Sequence, residues 1–226
     1  MTTLEAIYKR HSVRSYLDKP VPEDIKSKIE KEIIEINEKA DLNLSVVWDN
    51  PKVFSNFLTH YGKFKGVKNY FILAGKKCKN LSEKLGYYGE KLAITSQALG
   101  LNTCWVALNY SKTSAKRFAN LKKDDKVVCV IALGYGKTQG VPHHNKNINS
   151  LFKAEGDIPD WFKNGLESAT YAPTALNQQR WKLILKGEKV EIKALFGPYS
   201  KVDSGIVKYH FEVGSGKDST IWVGNN

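Results

Sequence analysis

The unbroken apolar run Val127-Val128-Cys129-Val130-Ile131-Ala132-Leu133 constrains the fold most. It falls well short of the ~18 residues that a membrane-spanning helix needs. Its β-branched residues suit an extended chain, so it predicts a strand. Leu44–Trp48, Tyr70–Ala74 and Thr103–Val106 read as further strands in the first half of the chain, and Trp181–Leu185 as one in the second. Helical patterns lie between them. Leu4–Tyr8 is short. Pro22-Glu23-Asp24 opens a longer helix with proline in its first turn and acids at the positive end of the dipole. Ile25, Ile29, Ile33 and Ile36 give that helix one buried face. A third helix is expected from about Glu83 to Leu99, stopped by a left-handed Gly100.

At 226 residues and 42% hydrophobic composition, the chain can form one large domain or two small ones. Such a chain buries roughly 70–75% of its extended surface and needs no covalent staples. Its three cysteines, Cys78, Cys104 and Cys129, are odd in number and lack C-x-x-C spacing. Cys104 and Cys129 sit in apolar runs and read as packed thiols in a reducing compartment. The first residues lack the basic-then-apolar order of a secretory signal, so a cytoplasmic protein is expected. The formal charge of +12 invites a nucleic-acid reading, which would predict salt-sensitive DNA binding. The lysines are dispersed, however, as in Lys26, Lys28 and Lys31 on one helix or Lys122-Lys123 beside Asp124-Asp125. That pattern favours a solvated basic surface, with no nucleic acid or membrane as partner.

Two segments carry the chemistry. Arg10-His11-Ser12-Val13-Arg14-Ser15-Tyr16 gathers two guanidiniums and a hydroxyl in one short stretch, suited to an anion such as a phosphate. Ala172-Pro173-Thr174-Ala175-Leu176-Asn177-Gln178-Gln179-Arg180-Trp181 offers the carboxamides of Asn177 and Gln179, which can hydrogen-bond a heterocycle edge. Other candidates fall away. Gly134-Tyr135-Gly136-Lys137-Thr138 ends like a phosphate-binding loop but has Ile131 where that pattern needs glycine. His143-His144 lacks a second ligand cluster, so no metal is expected. No His or Asp partner marks Cys104 or Cys129 as a nucleophile.

The two segments resemble the FMN-binding signatures of the nitroreductase family, R-x-S-x-R/K-x-F/Y and A-P-S-x-x-N-x-Q-P-W. Here they lie at opposite ends of the chain. The resemblance implies an α+β nitroreductase-like fold. It implies FMN as cofactor, with Arg10, His11 and Ser12 at the phosphate and ribityl end and Arg14 near the flavin N1/O2 edge. A cation there favours the reduced, negatively charged ring. Pro173, Thr174, Ala175, Asn177 and Gln179 would approach the flavin from elsewhere. Thr103, in the segment after the long helix, would lie beside it, and His144 and Lys146 would add phosphate contacts. Two departures stand out: Arg180 replaces the proline of Q-P-W, and Thr174-Ala175 replaces Ser-Ser.

In the family, the two motifs meet across a homodimer. The resemblance therefore implies a single chain that mimics the dimer, with 1–150 and 151–226 as two weakly similar α/β repeats. One FMN site is kept, and the protein is expected to be a monomer. Ile158-Pro159-Asp160-Trp161 echoes Val21-Pro22-Glu23-Asp24, and Trp181–Leu185 takes the place of Leu44–Trp48. Val202–Val207 echoes the start of the long central helix. The implied activity is hydride transfer from NAD(P)H to FMN and on to a small nitroaromatic- or quinone-like acceptor. The flavin carries the chemistry and no catalytic side chain is expected. The alternative is a flavin-binding carrier or sensor without turnover, which needs no open flavin face.

Overall fold

The computed structural model describes residues 1–55, 63–119 and 121–224. The chain divides into two compact units. One holds residues 9–81 and 91–142, and the other holds 1–8, 82–90 and 143–226. In the first unit, Pro22 caps helix α2 (Glu23–Ala40) in extended geometry. Glu23 and Asp24 stand in its first turn, and Asp41 ends it in the left-handed region at φ 50°. Ile29, Ile33 and Ile36 are buried, while Ile25 is half-buried, so the spacing read from sequence marks the packed face. Short α1 (Thr3–Lys9) precedes it.

Strands β1 (Asn43–Val47), β2 (Asn69–Lys76), β3 (Asn102–Val106) and β4 (Asp125–Gly134) form an antiparallel sheet in the order β1-β2-β4-β3. The apolar run lies in β4, flanked on both sides by β2 and β3. Val130 and Ala132 pack with Tyr70, Ile72, Cys104 and Val106 on one face. Cys129, Ile131 and Leu133 point to the opposite face and are just as buried. Burial on both faces explains why this segment shows no polar alternation. Short α4 (Lys112–Phe118), capped by the Ser111 hydroxyl, follows β3.

Helix α3 (Leu81–Ala98) is longer at its start than the sequence predicts and ends before Gly100, which has φ +84°. Its residues 82–90 pack in the second unit against α6 (Ser200–Ser215) through paired glycines. A Cβ on Gly86 would collide with the Val202 carbonyl, and one on Gly205 with the Glu83 carbonyl. The contact is reciprocal, each glycine meeting the carbonyl three residues before the other.

The same unit contains α5 (Asp160–Thr170), capped by an extended Pro159, and a small sheet. In that sheet β5 (Phe152–Lys153) runs parallel to β6 (Trp181–Lys186), which forms a hairpin with β7 (Lys189–Ala194). Its core is aromatic. Phe162 and Phe211 have ring centroids 5.6 Å apart, and Phe211 and Trp222 5.2 Å. Trp181 is buried at 1% exposure, a core residue as its apolar neighbours suggest. Among the described residues no helix is long and apolar enough to cross a membrane.

Candidate functional site

Residues 10–17 are pinned by backbone hydrogen bonds. Val13 N–H donates to Thr103 O at 3.1 Å, setting Ser12 beside the start of β3. Lys65 N–H donates to Arg14 O and Tyr16 N–H to Lys65 O, each at 2.9 Å. Lys137 N–H donates to Ser15 O at 2.9 Å and Leu17 N–H to Tyr135 O at 2.8 Å. The Tyr16 hydroxyl turns back to donate to Val13 O at 2.7 Å. With its backbone fixed, the segment buries Val13 and Tyr16, leaves Ser12 half-buried and exposes Arg14. Arg10 is 2% exposed.

The side chains converge. Burial pushes the Cys104 thiol up, against the pull of Arg14, then Arg10, and of a hydrogen bond from Ser12. Burial likewise holds the Tyr16 hydroxyl well above its ordinary value, with Cys104 adding and the same two guanidiniums opposing. Arg10, Ser12 and Arg14 thus share one neighbourhood with β3. Thr103 is fully buried, and its hydroxyl has no hydrogen-bond partner among the described residues. His11 Nδ1 donates to Gln139 O at 3.1 Å, because a carbonyl oxygen can only accept. Asn102 supports the same loop: its Oδ1 accepts from Gly136 N–H at 2.9 Å and its Nδ2 donates to Gln139 Oε1 at 3.0 Å. Gln139 carries no signal of its own in the sequence, and Asn102 stands out there only as part of the segment that holds Thr103.

The other expected residues, Pro173, Thr174, Ala175, Asn177, Gln179, His144 and Lys146, come together in the second unit. The loop after Pro173 has three non-glycine residues in the left-handed region: Leu176 at φ 53°, Asn177 at 52° and Gln179 at 43°. Such backbone costs of order 1–3 kcal/mol per residue and gathers at functional loops. Thr174 Oγ1 accepts from Gln179 N–H at 2.9 Å, closing the loop on itself. The Gln179 carboxamide is 1% exposed and committed internally: Oε1 accepts from Lys146 N–H at 2.7 Å, and Nε2 donates to Asn145 Oδ1 at 3.2 Å. Lys146 Nζ donates to Gln179 O at 3.3 Å, and exposed Asn177 donates through Nδ2 to His144 O at 2.8 Å. His144 and Lys146 therefore brace this loop. Leu176, at its tip, is 85% exposed.

Arg180 has a structural use. Its Nη1 donates to Phe196 O at 2.6 Å, and Gly197 lies so close that a Cβ there would come within 2.7 Å of Arg180 Cδ. It anchors the 195–199 turn where the family signature has proline. Asp203, in the first turn of α6, accepts from Ala175 N–H with Oδ1 at 3.1 Å and Oδ2 at 3.2 Å. Burial pushes its carboxyl up to about 7, opposed by that hydrogen bond. Nothing in the sequence around Asp203 distinguishes it from a solvated helix acid.

Deeper in the same unit, His210 and Glu90 are fully buried, with Nε2 and Oε1 2.9 Å apart. Nδ1 must donate to Ser168 O at 3.1 Å, which leaves Nε2 facing the carboxylate. Among the described residues no three His, Cys, Asp or Glu side chains converge as a metal site requires.

This arrangement of helices and sheets is a nitroreductase-type α+β fold, and solved structures bear out the likeness. A Thermotoga maritima protein described as a "putative nitroreductase" superposes with a TM-score of 0.65 at 26% identity, covering 95% of this chain and 83% of that one. A Bacteroides thetaiotaomicron protein described as a "Putative NADH dehydrogenase/NAD(P)H nitroreductase" gives 0.52 at 19% identity, over 66% and 95%. A Clostridium acetobutylicum "Putative NADH Oxidase" gives 0.52 at 19%, over 65% and 96%. The latter two share the fold. No curated protein matches the sequence. The chain belongs to the nitroreductase family described as "Putative TM nitroreductase", whose pattern matches residues 2–215.

Proposed function

We propose that the protein is an FMN-dependent oxidoreductase, reduced by NAD(P)H and discharged by a small nitroaromatic- or quinone-like acceptor. Family membership and the likeness to the Thermotoga maritima protein support an oxidoreductase. The observation that carries the cofactor is the pinned segment at residues 10–14. There a buried guanidinium, a half-buried hydroxyl and an exposed guanidinium share one neighbourhood beside the buried Thr103 hydroxyl. That donor set fits a dianionic phosphate, which charge-assisted hydrogen bonds hold most strongly. FMN, when bound, supplies the redox chemistry, and the protein supplies position and electrostatics.

In this reading Arg10 and Ser12 hold the phosphate and ribityl end, and Arg14 brings positive charge to the flavin. His11, tied to Gln139, fixes the segment's course. Thr174, Ala175 and Asn177 meet the flavin through the strained loop, which Gln179, His144 and Lys146 brace. Fluorescence titration with FMN tests the assignment. The parent should bind one FMN per chain, and Arg10→Ala should bind it more weakly; equal affinity would refute the phosphate role.

We also propose that 151–226 is a reduced copy of 1–150, so that one chain does the work of the family's dimer. The order helix–strand–strand–helix recurs, as α2-β1-β2-α3 and as α5-β6-β7-α6. Both first helices are capped by an extended proline, Pro22 and Pro159. The reciprocal Gly86–Gly205 contact has the form of a two-fold interface. Light scattering should then find a monomer, and two FMN per chain would contradict the loss of one site.

A further inference from the structure

Asp203 is tied to the 174–179 loop through the Ala175 N–H. A buried carboxylate is costly unless it is paired, and among the described residues no cation pairs with this one. On its own helix, Lys208 pairs with Glu83 at 2.6 Å and Lys201 is exposed. On α3, Tyr87 donates to Glu212 and Glu90 meets His210. On α5, Lys163 pairs with Asp160 and Glu167 acts on Tyr8. On the loop side, Arg180 is held by Phe196 O and Lys146 by Gln179 O. Asp203 is 4% exposed, and among the described residues its side chain accepts from the Ala175 N–H, shared between both oxygens. The first turn of α6 lends a partial positive charge and nothing more.

What the carboxylate holds is the loop that carries the family signature. Ala175 immediately precedes Leu176 and Asn177, both left-handed, and Gln179 follows in the same region. A loop in this conformation persists only when its surroundings over-determine it. One restraint is the Gln179 carboxamide and a second is Thr174 Oγ1. Lys146 Nζ on Gln179 O and Asn177 Nδ2 on His144 O add two more, and Asp203 is the one carboxylate among these restraints.

We propose that Asp203 is a positioning residue for the flavin site: through Ala175 N–H its carboxylate fixes the 174–179 loop, so that loop order and flavin affinity follow the ionisation of this side chain. The flavin half rests on the reading that this loop meets the flavin; the loop half does not. Ionised, the carboxylate makes a charge-assisted hydrogen bond; protonated, it makes a weaker neutral one. Because burial raises the carboxyl to about 7, the change falls near neutral pH. In an opening that releases Ala175 N–H while Asp203 stays buried on α6, only the hydrogen bond is lost, so the loop is held more firmly above that value and less firmly below it; global unfolding, which carries the carboxylate into water, has the opposite sign.

Hydrogen exchange on the cofactor-free protein tests this without any flavin. After correction for the intrinsic pH dependence of exchange, the amides of residues 175–179 should be about fivefold better protected at pH 8 than at pH 6. In Asp203→Asn, which keeps an acceptor but cannot titrate, the ratio should be near one. Equal protection of the parent at the two pH values overturns the proposal, and that measurement needs no variant to fold. Titration with riboflavin, which lacks a phosphate that would titrate in this range, reads the flavin half. The parent should bind it about fivefold more tightly at pH 8 than at pH 6, with the difference absent in Asp203→Asn. A protein that binds neither FMN nor riboflavin refutes the proposed function while the exchange result still decides the loop. Riboflavin binding that is indifferent to pH, beside pH-dependent exchange, overturns the link between loop and flavin.

Discussion

Replacing Asp203 with asparagine should make the protein more stable at pH 8 and leave it nearly unchanged at pH 4. The magnitude follows from burial. The Asp203 carboxyl stands at about 7 in the folded protein against 3.8 in the open chain. The folded state therefore keeps its proton longer than the unfolded state does, and stability falls as pH rises through that interval. Once both states are ionised, the accumulated cost is about 4 kcal/mol. Asparagine resembles the protonated acid in shape and keeps an acceptor for Ala175 N–H, so it escapes most of that cost. Allowing for the weaker hydrogen bond, a gain of about 2–4 kcal/mol is expected at pH 8. In a chain of this length, each kcal/mol moves the melting temperature by roughly 2–4 °C. Thermal unfolding followed by circular dichroism at pH 4, 6 and 8 should show the two proteins diverging as pH rises. A difference that is constant with pH, or a variant less stable at pH 8, would refute the reasoning.

Other outcomes follow from the same geometry. Arg10→Ala should weaken FMN binding by about 1.5–3 kcal/mol, the range for a charge-assisted hydrogen bond, read by fluorescence titration. Gly86→Ala should destabilise by about 3 kcal/mol or more in urea unfolding, since its Cβ would meet the Val202 carbonyl, which is backbone and cannot swing aside. His210→Ala should cost about 3–5 kcal/mol, because it leaves Glu90 buried without its imidazole.

Much of the scaffold was legible in the sequence because its signals are local. The β-branched run of β4, the isoleucine spacing of α2 and the proline-plus-acid starts of α2 and α5 each depend on neighbours a few residues away. The β6–β7 hairpin went unread, although its signal was present: Lys186-Gly187-Glu188-Lys189 joins two alternating stretches, and Gly187 takes φ +60° at the first turn position. Helix α4 was passed over because Lys112–Phe118 is short and has little apolar periodicity. The first motif was legible because arginine and serine at fixed spacing carry chemistry on their face. Asp203, Glu90 and His210 were not, because their character comes from burial by segments distant in sequence. Nor could Arg180 be read as the anchor of the 195–199 turn, since its partner is a backbone carbonyl.

We propose that this chain binds FMN and passes electrons through it. The most direct test is the visible absorption spectrum of the purified protein incubated with FMN, recorded before and after anaerobic addition of NADH or NADPH. A bound flavin spectrum that bleaches on reduction and returns when an acceptor is added is the expected result. A protein that remains colourless and takes up no FMN would contradict it.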